Sequence, residues 1–90
     1  MELSKNHIRT LQVIFRTPVA RTLQWRRIEA LIIALGGIKT EGDGSRVKFE
    51  LEDETIHLHR PHQKEAKPYQ IRELREFLLK AGVTSEIYDI

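Results

Sequence analysis

The stretch Gly42-Asp43-Gly44-Ser45-Arg46-Val47-Lys48-Phe49-Glu50-Leu51, continued by Glu52-Asp53-Glu54-Thr55-Ile56-His57-Leu58-His59, decides the fold. Val47, Phe49 and Leu51 alternate with Arg46, Lys48 and Glu50. A period of two is that of a strand with one buried and one wet face. Residues 55–59 repeat it, with Ile56 and Leu58 inward and Thr55, His57 and His59 outward. Residues 38–41 read as a strand before these two, because Asp43-Gly44 accepts the positive φ of a two-residue hairpin turn. Glu52-Asp53-Glu54 is the second turn. The result is an antiparallel meander with one face open to water.

Helices flank this sheet. Residues 5–16 carry Ile8, Leu11 and Phe15 at helical spacing, Ser4 stands ready to cap them, and Pro18 stops the helix. His7, in its first turn, reads as a surface residue. Residues 25–35 carry the stripe Ile28, Leu31, Ile32 and Leu35, ended by Gly36-Gly37. Trp25 is a core anchor or an exposed stacking platform, with core the commoner fate of such a residue. The last helix starts near Pro68 and carries Ile71, Leu74, Phe77, Leu78 and Ala81 up to Gly82. The order helix, helix, three strands, helix makes an α+β domain whose helices must cover the apolar sheet face.

Two-residue turns predict a register. With Asp43-Gly44 as the loop, Gly42 pairs with Ser45 and Lys39 lies opposite Lys48. With Asp53-Glu54 as the loop, Lys48 lies opposite His59 and Glu50 opposite His57. Both keep the apolar residues inward. The open face then carries Lys39, Lys48 and His59 in a row, with His57, Glu50 and Arg46 beside them. A Glu50–His57 pair favours the charged imidazolium. Arg60, His62, Lys64 and Lys67 continue the positive character beyond the third strand.

Composition agrees with one small domain. The chain has 90 residues, 40% hydrophobic and 31% charged, a globular balance. The absence of cysteine excludes a disulfide framework, a thiolate metal site and a cysteine nucleophile. No apolar run approaches the ~20 residues of a membrane span, and no signal-peptide pattern opens the chain. A cytoplasmic location is expected. The net charge of +2 is segregated: residues 1–27 hold six Lys/Arg against one acid, residues 28–56 three against seven, and residues 57–80 six against three. The last ten residues hold only Glu86 and Asp89. All four histidines lie in the two basic blocks. Such segregation suits a polyanion surface or ordinary solvated helix faces.

The chemistry of the open face follows from its residue types. Lys and Arg replace the counterions released from phosphates. Histidine exchanges a proton near neutral pH. RNA cleavage through the 2′-hydroxyl needs such a base and an electrostatic partner for the charged phosphorane. Equally, His57 and His59 can be plain solvent-facing strand residues. His57-x-His59-x-x-His62 is a poor metal cluster, because no carboxylate supplies a third ligand and the flanking cations repel a metal. No metal and no cofactor is expected.

Four segments resemble the HicA family, small toxins of bacterial toxin–antitoxin pairs. They are Ala34-Leu35-Gly36-Gly37, the turn and strand Gly42-Asp43-Gly44-Ser45-Arg46-Val47-Lys48-Phe49, the basic run Pro61-His62-Gln63-Lys64-Glu65-Ala66-Lys67-Pro68, and Leu79-Lys80-Ala81-Gly82. The resemblance implies a double-stranded-RNA-binding-domain-like fold. Residues 22–83 would be the HicA-like core and residues 1–20 an N-terminal helical addition to one domain spanning 1–90. It implies an mRNA-cleaving endoribonuclease neutralised by a HicB-type antitoxin, with no membrane and no small-molecule cofactor involved. One departure stands out: where the family places its catalytic histidine after Gly-Ser, this chain has Arg46. Arginine stays protonated and is no general base. The base role would then move to His59 or His57 on the same open face, the expected register favouring His59 as base and His57 as acid, or to His62 on the loop. Arg46, Lys48, Lys39, Ser45, Arg60, His62, Lys64 and Lys67 are expected to bind RNA. The alternatives are a non-catalytic RNA-binding module of the same fold, and a basic face that serves only to dock an acidic antitoxin.

Overall fold

The computed structural model describes residues 3–85. Glu2, Glu86 and Asp89, counted in the charge pattern above, lie outside the described residues. The elements run α1 (Lys5–Phe15), β1 (Leu23–Gln24), α2 (Trp25–Ala34), β2 (Ile38–Glu41), β3 (Arg46–Leu51), β4 (Glu54–His59), β5 (Glu65–Ala66) and α3 (Pro68–Lys80). Strands β2, β3 and β4 form an antiparallel sheet in that order. Helices α2 and α3 pack on the sheet, and α1 packs against both helices. This is the expected α+β architecture.

Burial follows the alternation. Val47, Phe49, Leu51 and Leu58 are buried, and Ile56 packs partly buried against the same core. Trp25 is a core residue, 4% exposed, with its ring 5.9 Å from that of Phe49. Ser4 caps α1 as expected, and His7 does more than sit on the surface: its backbone N–H donates to Ser4 Oγ and its Nδ1 accepts from Ser4 N–H, both at 3.2 Å. This reciprocal box satisfies two free donors at the helix start. At the other end, Arg75 of α3 donates to the Ile14 carbonyl at 2.9 Å and to the Arg16 carbonyl at 2.8 Å. Helix α1, with Thr10, Leu11 and Ile14 buried, is thus tied into the common core.

Both α2 and α3 end in the same way. Gly36 has φ 95° and donates to the Ile33 carbonyl, while Gly37 N–H reaches the Ile32 carbonyl at 2.8 Å. Gly82, at φ 84°, and Val83 repeat the pattern on Leu79 and Leu78. These paired bonds are the Schellman arrangement, in which a left-handed residue lets the chain turn back over the last carbonyls.

The register differs from the expected one at both turns. Gly42 N–H donates to the Arg46 carbonyl at 2.9 Å, so Asp43-Gly44-Ser45 is a three-residue loop with Gly44 at φ 62°. Ile38 therefore pairs with Glu50, Lys39 with Phe49 and Thr40 with Lys48. An odd shift reverses the faces of an edge strand. Ile38 stands 61% exposed on the open face, and Lys39 turns to the helix side. At the second turn the loop is Glu52-Asp53, with Glu52 at φ 53°. The shift there is even, so the faces hold but the partners change. His59 lies opposite Arg46, His57 opposite Lys48 and Thr55 opposite Glu50. A two-residue ribbon, Leu23 with Ala66 and Gln24 with Glu65, joins the chain before α2 to the chain before α3. Strands this short carry no periodicity, and the sequence gives no sign of them.

Candidate nucleic-acid interface

The open face is built by β3 and β4. Arg46 and His59 form one cross-strand pair and Lys48 and His57 the next. Directly opposed residues have Cα atoms about 4.5–5.5 Å apart, so each cation shares its site with an imidazole. His57 and His59, two residues apart on one strand, are separated by about 7 Å. Thr40 and Gly42 flank them, and together these residues line a shallow depression of about 470 Å³. Lys48 pairs with Glu50 at 3.4 Å. Glu50 thus serves Lys48 and faces Thr55, in place of the expected Glu50–His57 partnership. Among the described residues Arg46 has no ion pair, which leaves its charge for a ligand.

His59 is the most strongly positioned of these side chains. Its Nδ1 lies 3.2 Å from Ser45 Oγ. Its carbonyl accepts from Gln70 Nε2 at 2.9 Å, and Gln70 Oε1 in turn accepts from Lys67 N–H at 3.1 Å. Gln70 is 3% exposed. It locks the end of β4 to the first turn of α3. Sequence reasoning missed Gln70, although a polar residue four before Leu74 on the apolar stripe is a readable signal. Arg60 N–H donates to the Ser45 carbonyl at 2.7 Å, which fixes the other side of the Ser45–His59 pair.

The remaining expected residues fall in two groups. His62 and Lys67 line a cleft of about 620 Å³ at the end of β4, together with Ser45 and His59. Arg60 also lines this cleft, but its guanidinium is engaged by acids, and Lys39 and Lys64 are placed elsewhere. Lys39 Nζ lies 3.4 Å from Glu29 and 3.9 Å from Glu41. The Arg60 guanidinium lies 2.7 Å from Glu41 and 3.7 Å from Glu29. These four charges stitch α2, β2 and the end of β4 together. The hydrogen bond from Arg60, followed by the charges of Arg60 and Lys39, holds the Glu41 carboxyl below its ordinary range. The Glu41 hydrogen bond raises Arg60 against a smaller opposing effect of desolvation. Lys64, at φ 66°, lends its carbonyl to Trp25 N–H at 2.9 Å. It lines a different cleft with Trp25 and Glu29. The open face is therefore narrower than the sequence suggested: Lys39 is absent from it because the turn is one residue longer, and the guanidinium of Arg60 is held by acids.

Among the described residues, no three His, Cys, Asp or Glu side chains come together as a metal site. No described helix is long and apolar enough to cross a membrane. Neither curated proteins nor solved structures gave a match to the chain. The family model described as HicA toxin of bacterial toxin-antitoxin matches residues 25–83, the span from Trp25 through the sheet to the residue after Gly82. That match covers more than half of the 90 residues, and its sheet and helices are those described above: the chain belongs to the HicA toxin family of bacterial toxin–antitoxin systems.

Proposed function

We propose that this chain binds mRNA on its open sheet face and cuts it by transfer to the 2′-hydroxyl, with His59 as base. One observation carries the reading. His59 lies directly opposite Arg46, the position at which the family resemblance expects a histidine. An imidazole thus remains within one strand spacing of that position, now accompanied by a permanent cation. The Ser45–His59 contact supports the base role. With Nδ1–H donating to Ser45 Oγ, the Nε2 lone pair faces outward to a substrate.

Nε2 of His59 takes the proton of the 2′-hydroxyl, O2′ bonds to phosphorus, and the phosphorus–O5′ bond breaks. The leaving O5′ takes a proton from His57. The products are a 2′,3′-cyclic phosphate and a 5′-hydroxyl. Arg46 and Lys48 stabilise the phosphorane charge, which peaks in the transition state. Lys67 and His62 extend the phosphate track into the neighbouring cleft. A HicB-type antitoxin neutralises the toxin by covering this face, and the site of action is the cytoplasm, where mRNA is found.

The test is incubation of the purified protein with a defined messenger RNA in EDTA, alongside folded His59→Ala and His57→Ala proteins. Cleavage by the wild type with a loss of 10²-fold or more in His59→Ala is expected, the usual range for a general base. Undiminished cleavage by both variants overturns the assignment. Arg46 itself favours a second reading, an RNA-binding module that does not cut. Salt-sensitive RNA binding without cleavage selects it.

A further inference from the structure

The cleft of about 620 Å³ at the end of β4 holds a feature that the cleavage chemistry does not use. It lies between β4, the loop that follows and the first turn of α3, and Arg21, His59, His62, Lys67 and Tyr69 are among its lining residues. His59 lines both this cleft and the open-face depression. A chain lying on the sheet therefore continues into the cleft past that imidazole.

Tyr69 is 54% exposed, whereas Trp25, Phe49 and Phe77 are buried and Phe15 is half-buried. Among the described residues it is the single exposed ring of the Phe, Trp and Tyr type. Isolated exposed apolar residues are common and carry no message by themselves. Here the surroundings matter. The one acid lining the cleft, Glu65, accepts a hydrogen bond from Thr22. Among the described residues, Arg21 and Lys67 make no ion pair, so two cations remain free beside an open ring. Cations for phosphates together with an open ring for a base make up the recognition set for single-stranded nucleic acid. A duplex stacks its bases on one another and has no free base face to offer.

We infer that Tyr69 is a stacking platform for the base of the nucleotide next to the cleavage point, and that the RNA lies here single-stranded. Arg21 and Lys67 hold the flanking phosphates. This rests on the RNA reading above and adds strand state and a subsite to it.

The test is fluorescence anisotropy with a labelled eight-nucleotide 2′-O-methyl RNA, which lacks the attacking hydroxyl and so stays intact. Tyr69→Ala is expected to weaken binding about tenfold or more, the usual effect of losing one stacked base. Tyr69→Phe keeps the ring and is expected to bind within about twofold of wild type, and Tyr69→Leu to resemble the alanine variant. The same strand annealed to its complement is expected to compete poorly. The side chain is exposed, and circular dichroism confirms that each variant is folded. Wild-type affinity in Tyr69→Ala, a loss in Tyr69→Phe equal to that in Tyr69→Ala, or equal competition by the duplex overturns the platform while leaving RNA binding in place. A wild type that binds no RNA overturns the RNA reading and this inference with it.

Discussion

Gly37→Ala separates two reasons for a glycine in this fold. Gly37 follows the left-handed Gly36 at the end of α2 and leads into β2. A methyl group there meets Ile32 Cγ2 at 2.5 Å, the Ile32 carbonyl oxygen at 2.9 Å and the Glu50 carbonyl oxygen at 3.1 Å. Side-chain rotation relieves only the first. The Ile32 oxygen is held by Gly37 N–H at 2.8 Å, and Glu50 lies in the central strand. Relief therefore moves α2 against the sheet. Overpacking of this kind costs about 1–3 kcal/mol, and two backbone contacts place the change at the upper end. Gly44→Ala is the control. Its methyl meets nothing within 4 Å, but φ is 62°, so the loss is conformational, about 1 kcal/mol. For a domain of this size each kcal/mol moves Tm by about 4–8 °C. Thermal unfolding by circular dichroism is expected to fall by about 10 °C or more for Gly37→Ala and by about half that for Gly44→Ala. A Gly37→Ala protein as stable as Gly44→Ala refutes the close-approach argument.

Other perturbations have defined outcomes. Gln70→Leu leaves the His59 carbonyl and the Lys67 N–H without their side-chain partner, and a loss of about 1–3 kcal/mol in urea unfolding is expected; an unchanged midpoint contradicts the bridge. Glu52→Gly relieves a non-glycine residue at φ 53° and is expected to raise stability by about 0.5–1 kcal/mol, read as a higher Tm. Because Arg60 holds the folded-state Glu41 carboxyl below 4.5, the stability from this pair is present above that pH and is lost as pH falls through the lower folded value. Both groups are exposed, so the change is small. Arg60→Gln is expected to flatten that acid-side decline in urea midpoints, and identical pH profiles contradict the pairing.

The faces of β3 and β4 were legible because strict alternation over Arg46–Leu51 and at His57–His59 leaves one way to bury Val47, Phe49 and Leu58. The helix ends were legible from Ser4, Gly36-Gly37 and Gly82. Register was not, because both turns offer competing loops of similar composition. Ser45 joins the first loop, and Glu52, with no glycine to mark it, takes the left-handed conformation in the second. Those choices moved Lys39 off the open face and set His59 against Arg46. The histidines of the candidate site were therefore readable, but their partners were not. Gln70 and Tyr69 escaped notice for a related reason: the stripe position of Gln70 signals burial but not its partner, Tyr69 looks like an ordinary aromatic, and only the packing of α3 beside β4 gives the two their roles.

The most direct measurement of the central claim is the end chemistry of the cut RNA. A substrate with a single 2′-deoxy nucleotide at the mapped cleavage point is incubated in EDTA beside its all-ribose twin, and the products are weighed by mass spectrometry. A 2′,3′-cyclic phosphate and a 5′-hydroxyl are expected from the ribose substrate, with no cut at the deoxy position and neither product from folded His59→Ala. Cleavage at the deoxy position, a 5′-phosphate product, or full activity without His59 contradicts transfer to the 2′-hydroxyl with His59 as base.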